Sequence, residues 1–244
     1  MSSKRTENET EHLAYDADDY AQSIARHAYT MAATMERTEA GVRALQGEVY
    51  GLLEQIEPAG PPLACGVGCS SCCSQRVAVM PYEAALAYLD APLQRLEQVR
   101  RASKNSSSGA QRGPCPLLED RLCTIYSARP GACRTEHSFS REACERGPGH
   151  RHPYDGRREL VSFALLRGEV SGLHAQGLDV HVVELVEALN YLTCQYGPRR
   201  AQPLQDWLAG QRIFPRALNR SARQQRRKSV LVQLRLDRSK EQSR

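Results

Sequence analysis

Cysteine is the residue type that carries chemistry in this sequence of 244 residues. Nine cysteines occur, and eight of them fall within the eighty residues from 65 to 144. These eight candidate metal ligands are Cys65, Cys69, Cys72, Cys73, Cys115, Cys123, Cys133 and Cys144. Thiolate sulfur is a preferred donor for zinc and for iron, either as single ions or as an iron–sulfur cluster. The group therefore predicts one or two metal sites that hold zinc, iron or an iron–sulfur cluster.

The first cysteine group has the spacing of a metal-binding loop. It reads Cys65-Gly-Val-Gly-Cys69-Ser-Ser-Cys72-Cys73, which is the pattern C-x3-C-x2-C-C. A C-x2-C loop such as Cys69 to Cys72 turns the chain back and points two thiolates at one ion. The adjacent side chains of Cys72 and Cys73 diverge, so the fourth cysteine either bridges, serves a second metal or stays a free thiol. The spacing leaves these three alternatives open.

The second cysteine group contains three short motifs, C-P, C-x-I-Y-x2-R-P and C-R. They are Cys115-Pro116, then Cys123-Thr124-Ile125-Tyr126 with Arg129-Pro130, and then Cys133-Arg134, with Cys144 beyond. These motifs follow the first cysteine group in this order. Together, the first group and the motifs resemble the CxxCxxCC cysteine-cluster family, a YkgJ-like zinc- or iron-chelating domain. The resemblance covers about residues 65–134 and extends less firmly to Cys144.

This resemblance implies roles for individual residues. It implies metal ligation by the seven cysteines from Cys65 to Cys133, structural roles for Tyr126 and Pro130, and hydrogen bonding of a thiolate by Arg129. Family members are described as metal-chelating or as iron–sulfur oxidoreductase-like, and related cysteine clusters occur in flagellin lysine methylases. The main expectation is therefore a metal-chelating protein. The alternative is an iron- or iron–sulfur-dependent oxidoreductase or protein-modifying enzyme, so the sequence leaves enzymatic activity open.

Other cysteine-based classes fit the sequence less well. The Cys65-x3-Cys69-x2-Cys72 spacing is also that of a radical-SAM loop, but that family places an aromatic residue where Ser71 stands. It also needs a long alternation of strands and helices, which does not follow here. The ferredoxin spacing C-x2-C-x2-C-x3-C-P is absent from the sequence, as are Walker loops and dinucleotide fingerprints. The sequence thus argues against radical-SAM enzymes and simple electron carriers.

Several residues outside the eight cysteines could complete a metal site. His137, His150 and His152 follow the cysteines, but loop histidines are usually solvated. The carboxylates of Glu119 and Asp120 would suit iron, although a solvated turn after Leu118 explains them equally well. A ligand set with His137 or Glu119 and an open position would favour catalysis, whereas four closed thiolates would oppose it. Cys194 lies in an apolar helical pattern and is predicted to be a core cysteine.

The elements around the cysteines are predicted to be helices. Alanine, glutamate and glutamine dominate residues 13–56, which predicts one long helix or two consecutive ones. After a short extended piece at 77–80, Pro81 starts a helix that runs to about Arg101. Apolar spacing predicts an antiparallel helical pair at 158–175 and 180–196. A further short helix over 203–214 carries Trp207.

The predicted fold class is mainly α, with helices flanking an irregular, cysteine-rich and metal-organised central module. Gly and Pro are too frequent in the module for long helices, so bound metal is expected to organise its loops. The predicted organisation has four parts. They are an acidic helical segment at 1–57, the metal-binding module at 58–150, a helical segment packing on it at 151–214, and a basic, partly disordered tail at 215–244.

Charge and hydropathy limit the partners and the location. The net charge of +5 combines −6 over residues 1–57 with +10 over residues 199–244. Basic tail residues could bind nucleic acid, but no aromatic residues interleave with them, so docking on the acidic first segment is favoured. These basic residues include Arg223, Arg226, Arg227 and Lys228. The sequence lacks an apolar run that could cross a membrane and opens with a polar stretch, which predicts a cytoplasmic protein with a metal and an unidentified protein as partners.

Overall fold

The computed structural model describes residues 7–56, 61–66, 68–104, 114–146 and 155–218, and these form a mainly α protein as predicted. The candidate ligands His150 and His152, residues 105–113, and residues 219–244 of the predicted tail lie outside the described residues. Within the described part of the chain, no helix is long and apolar enough to cross a membrane.

The described elements are nine α-helices, four short strands and three 3-10 turns. The helices are α1 (Glu7–Ala33), α2 (Glu39–Gln55), α3 (Pro81–Asp90), α4 (Leu93–Lys104), α5 (Gly131–Thr135), α6 (Arg141–Glu145), α7 (Gly156–Ala175), α8 (Leu185–Tyr196) and α9 (Gln202–Leu208). The strands are β1 (Ala78–Val79), β2 (Leu118–Glu119), β3 (Leu122–Cys123) and β4 (Val183–Glu184). The 3-10 turns are Ser71–Ser74, Tyr126–Ala128 and Arg216–Leu218.

The chain folds into two compact units. The first unit consists of Met1–Cys72, Arg134–Asp179 and Leu208–Gly210. The second unit consists of Cys73–Cys133, Val180–Trp207 and Gln211–Arg244. The cysteine-rich segment therefore contributes residues to both units, and the boundary passes between the adjacent Cys72 and Cys73.

In the first unit, α1 packs along α7 at a close helix crossing. The crossing depends on Gly168 and Gly172, because an added Cβ would overlap the backbone carbonyls of Ala25 and Tyr29. The predicted helical segment 13–56 is two helices, because the chain leaves α1 after Ala33 and Thr38 caps the next helix. Its side-chain oxygen accepts a hydrogen bond from the Gly41 N–H at 3.0 Å, which satisfies a free donor at the start of α2.

The second unit is built around the buried helix α3, whose residues 81–88 are all buried. Helix α8 packs on both α3 and α4, and β1 pairs with β4 in antiparallel register, Ala78 opposite Glu184. The ring of Tyr82 on α3 lies 5.4 Å from that of Trp207 on α9. At the C-terminal end of α3, Arg200 donates hydrogen bonds of 2.5 Å to the carbonyls of Tyr88 and Leu89. This guanidinium satisfies carbonyl groups that the helix itself leaves without partners.

Three sequence predictions need correction. The helix expected from Pro81 to about Arg101 is α3 and α4, because Pro92 lacks an N–H and cannot continue the first helix. The helices expected at 158–175 and 180–196 are α7 and α8, but the second begins only at Leu185; α7 packs on α1 in the first unit, and α8 packs on α3 and α4 in the second. Cys194 is exposed on α8 rather than buried in the core, although its apolar helical pattern predicted burial. The predicted short helix with Trp207 is confirmed as α9.

Candidate metal centre

The loop that carries Cys65 and Cys69 belongs to the first unit. The Cys69 N–H donates a hydrogen bond of 3.0 Å to the Gly66 carbonyl, which closes a tight turn between the two cysteines. Gly68 has a φ of 77°, a backbone conformation that glycine adopts without the steric cost of a Cβ. The Ala64 N–H donates a 2.8 Å hydrogen bond to the carbonyl of Ser138. This bond anchors the loop, immediately before Cys65, on the segment that leads to Cys144.

Cys144 lies on the short helix α6, which begins close to the same anchor. The Ser140 side chain caps this helix by accepting a hydrogen bond from the Ala143 N–H at 3.1 Å. The Ser140 N–H in turn donates to the hydroxyl oxygen of Ser138 at 3.0 Å. Ser138, only 1% exposed, therefore links the Cys65 loop through its carbonyl to the Cys144 helix through its side chain. These contacts bring the most distant cysteine of the sequence group to the first one.

Electrostatic interactions connect the four thiols of the first unit. Removal of water by the surrounding protein raises the pKa of the Cys65 thiol, although part of the side chain is exposed. Negative charge on Cys69, Cys72 and Cys144 raises this pKa further, and a backbone hydrogen bond from Ser138 opposes the increase. Four thiolates in one neighbourhood repel each other, so a bound cation would relieve the repulsion.

In the second unit, main-chain hydrogen bonds connect the next three cysteines. The Cys115 N–H donates to the Cys73 carbonyl at 3.0 Å, and the Cys115 carbonyl accepts from the Leu118 N–H at 3.0 Å. Leu118 then pairs with Cys123 across the hairpin of β2 and β3. The backbone thus leads from Cys73 through Cys115 to Cys123 by direct contacts.

The hairpin is supported from α4 by Arg95. Its guanidinium donates a 2.8 Å hydrogen bond to the Leu118 carbonyl and forms a 2.5 Å ion pair with Glu119. Asp120 and Arg121 form the turn, with φ values of 47° and 67°. The expectation of a turn after Leu118 is therefore confirmed, and Glu119 and Asp120 are exposed. The Glu119 carboxylate is engaged by an arginine.

Cys133 is positioned by the buried carboxylate of Glu83. Glu83, 4% exposed, accepts a 2.8 Å hydrogen bond from the Met80 N–H and a 2.7 Å hydrogen bond from the Gly131 N–H. The first bond caps α3, and the second fixes the start of the helix that carries Cys133. The three-residue spacing from Met80 to Glu83 is a capping signal, but nothing local indicates the contact with Gly131.

Arg129 and Arg134, the two arginines of the sequence motifs, form contacts next to Cys133. Arg129 donates a 2.6 Å hydrogen bond to the Cys133 carbonyl, and its guanidinium lies 5.9 Å from the centre of the exposed Tyr126 ring. Hydrogen bonding of a thiolate by Arg129 stays a prediction. Arg134 is anchored in the first unit, where it lies 4.4 Å from the centre of the Tyr50 ring. These contacts fix the backbone on both sides of the ligand candidate.

The imidazole ring of His137 forms hydrogen bonds with the main chain. Its Nδ1 lies 2.7 Å from the Thr135 carbonyl, and its Nε2 accepts a 3.0 Å hydrogen bond from the Asp155 N–H. An acceptor role for Nε2 assigns the proton to Nδ1, so both ring nitrogens already have partners. Asp155 in turn caps α7 by accepting from the Arg157 N–H at 3.0 Å. The side chain of His137 therefore fixes the start of α7.

All nine cysteines are free thiols, and the two units divide the eight candidate ligands equally. The first unit contains Cys65, Cys69, Cys72 and Cys144, and the second contains Cys73, Cys115, Cys123 and Cys133. Among the described residues, no group of three or more histidine, cysteine, aspartate or glutamate side chains has a geometry that could hold a metal ion. Coordination would therefore require the thiols to turn toward a common centre.

Residues 64–150 match a family model described as "CxxCxxCC: Putative zinc- or iron-chelating domain". This part of the chain is similar to the CxxCxxCC domain. The match confirms the family suggested by the motifs, and its range includes Cys144. No curated protein and no solved structure matches the chain. The name of the CxxCxxCC domain indicates metal chelation in general but assigns no metal and no ligand.

Proposed function

We propose that the CxxCxxCC domain of this protein binds zinc or iron through the thiolates of its eight clustered cysteines. The observation that carries this proposal is the pair of hydrogen bonds at Ser138, which join the loop of Cys65 and Cys69 to the helix that carries Cys144. Four sulfur donors match the coordination number of structural zinc sites and of iron–sulfur clusters. The donor set therefore fits both metals named by the family.

The scarcity of buried side chains in the first loop supports a structural role for the metal. None of the described residues in the range 61–74 is buried, whereas residues 81–88 of α3 all are. Such a loop gains little from hydrophobic burial, so metal binding would supply much of the free energy that orders it. In this role the metal would stabilise a platform for a protein partner, which the chain itself does not identify.

The surroundings of His137 and Glu119, two of the five non-cysteine candidates, also favour closed thiolate coordination. Both ring nitrogens of His137 have main-chain partners, and the Glu119 carboxylate forms an ion pair with Arg95. An enzyme would need a coordination position that substrate or water can enter. With these two groups engaged elsewhere, cysteines remain the best ligand candidates, and a chelating function has more support than an oxidoreductase or protein-modifying one.

Elemental analysis and an absorption spectrum of the protein purified without oxygen would test the proposal. We expect zinc or iron in a fixed ratio to the chain, and a lower ratio in Cys69→Ser and Cys123→Ser. Cys194→Ser is the matched control because Cys194 is exposed on α8 outside the CxxCxxCC domain. Full metal content in both cluster variants would contradict chelation. Brown protein with iron and acid-labile sulfide would favour the iron–sulfur alternative.

A further inference from the structure

We propose that the CxxCxxCC domain holds two separate metal sites and that the adjacent Cys72 and Cys73 belong to different ones. The first site uses Cys65, Cys69, Cys72 and Cys144, and the second uses Cys73, Cys115, Cys123 and Cys133. This inference rests on the proposed function, because it assigns the ligands of the same metal-binding domain. It also assigns a ligand role to Cys144, which lies beyond the recognised motifs.

The backbone at the adjacent pair separates the two thiols. Both residues lie in the 3-10 turn Ser71–Ser74. A 3-10 helix has three residues per turn, so neighbouring side chains project about 120° apart around its axis. Two adjacent thiols in this conformation are poorly placed to bind one ion together. The same turn can, however, direct one thiol to each of two centres.

The first site is assembled by the Ser138 contacts. The loop offers three sulfur atoms in the pattern C-x3-C-x2-C, which leaves a four-coordinate metal one ligand short. The Ala64 to Ser138 and Ser140 to Ser138 hydrogen bonds, 2.8 and 3.0 Å, join this loop to the helix that carries Cys144. Cys144 therefore supplies the fourth sulfur within the same unit.

The second site starts at Cys73. The 3.0 Å hydrogen bond between the Cys115 N–H and the Cys73 carbonyl draws these two residues together. The hairpin register then places Cys123 opposite Leu118, which is itself bonded to the Cys115 carbonyl. Cys133 is the remaining cysteine of the domain in this unit, and the Glu83 to Gly131 hydrogen bond fixes its helix.

Titration of the metal-free full chain with Co²⁺ under anaerobic conditions would test the assignment, because cobalt–thiolate absorption counts occupied sites. The wild type should bind roughly two ions, as expected for eight thiolates that bind four to an ion. Cys72→Ser and Cys73→Ser form a matched pair, and each should retain one ion. The double variant Cys72→Ser/Cys144→Ser should also retain one ion, because both changes affect the same site. Cys73→Ser/Cys144→Ser should retain none.

Two results would overturn the assignment while leaving chelation intact. One is a wild type that binds a single ion, and the other is a Cys73→Ser/Cys144→Ser variant that still binds one. A wild type that binds no Co²⁺, Zn²⁺ or iron would instead reject the proposed function together with the inference. Circular dichroism of each variant would establish that the helices remain folded.

A measurement on the wild type avoids variants that fail to fold. After partial removal of Zn²⁺ by a chelator, free thiols are alkylated and chains with five labels are selected by mass, because one emptied site exposes four thiols and Cys194 is already exposed. These chains are digested, and fragment ions of the peptide from Cys65 to Cys73 should place a single label on the adjacent pair Cys72 and Cys73, because one of these two thiols is still bound to metal. Two labels or none on this adjacent pair in the selected chains would show that both thiols share one site, and the inference would be wrong.

Discussion

Glu83 connects the buried core of the second unit to a candidate ligand through one side chain. Its carboxylate accepts main-chain hydrogen bonds from Met80 at 2.8 Å and from Gly131 at 2.7 Å. Hydrogen bonds to a charged group contribute more to stability than neutral ones, and buried donors are costly to leave without partners. Glu83→Ala should therefore lower the free energy of unfolding by about 3 kcal/mol.

Urea denaturation of the metal-loaded protein would measure this loss. Glu83→Gln keeps the shape and one acceptor oxygen, so it should lose less than Glu83→Ala. Glu97→Gln is the control, because Glu97 lies on the exposed side of α4 and pairs only locally with Arg100 and Arg101. A Glu83→Ala variant as stable as this control would contradict the role assigned to Glu83.

Tyr196 should make the stability of the second unit depend on pH in the alkaline range. Removal of water by burial and, next in size, its 3.1 Å hydrogen bond to the Asp206 carboxylate together raise its pKa to about 12. The ordinary value is 10.0, so between pH 10 and 12 the folded state keeps a proton that the unfolded state loses. This contribution to stability is complete below pH 10 and is lost as the pH rises toward 12.

Ultraviolet titration of tyrosinate would test this expectation. Tyr196 should ionise near pH 12 in the wild type, and this contribution should be absent from the titration of Tyr196→Phe. The variant should also lose less stability than the wild type between pH 10 and 12. Identical titration curves for the two proteins would contradict the assignment to Tyr196.

The hairpin of the second cysteine group contains backbone strain at its turn. Asp120 and Arg121 both have positive φ, as type I′ turns require, although Asn-Gly is the common sequence for such turns. Because Arg121 has a Cβ, this backbone conformation destabilises the folded state by about 1 kcal/mol relative to a glycine at the same position. Arg121→Gly should therefore raise the free energy of unfolding by about 1 kcal/mol. Thermal unfolding measured against Arg146→Gly, which lies outside the hairpin, would detect the difference.

Alanine substitutions of two glycines in the first unit should have opposite effects on stability, because only one of the two glycines lies at the crossing of α1 and α7. Gly168→Ala introduces a methyl group against the Ala25 carbonyl, so it should destabilise the first unit by about 2 kcal/mol. Gly51→Ala on α2 is the matched control, because nothing lies within 4 Å of the added Cβ. This variant should be stabilised by about 0.5 kcal/mol through helix propensity. Equal effects of the two substitutions on denaturant unfolding would show that the crossing tolerates a larger residue.

Local signals made part of this structure predictable from the sequence. Pro81 and the apolar spacing around it indicated where α3 begins, and Gly and Pro in the cysteine segments excluded long helices. The contact of Glu83 with Gly131 and the link between Ala64 and Ser138 join residues that are far apart in sequence. No local pattern encodes such contacts, because they form only when separate elements pack. For the same reason, periodicity indicated a helix around Cys194 but wrongly assigned its exposed face to the core.

At the scale of the whole molecule, the CxxCxxCC domain contributes to both units, while most of the buried apolar residues lie in helices. Residues 61–74 have no buried residue among those described, and the only large apolar side chains buried in the described segment 114–146 are Leu117 and Ile125. The α1 and α7 pair and the α3 and α8 pair instead pack closely, and each of these helices contributes buried apolar residues. Metal removal should therefore loosen the cysteine segments before it unfolds the helices.

Limited proteolysis with trypsin, with and without a chelator, would test this order of events. Chelation should speed cleavage after Arg76 and Arg121, which lie in or next to the cysteine segments. Cleavage after Arg167, on helix α7, should change much less and serves as the internal control. If α7 were cut as early as the cysteine segments, the metal would be required for the helical core as well. If chelation changed neither rate in protein shown to contain metal, the metal would have no structural role.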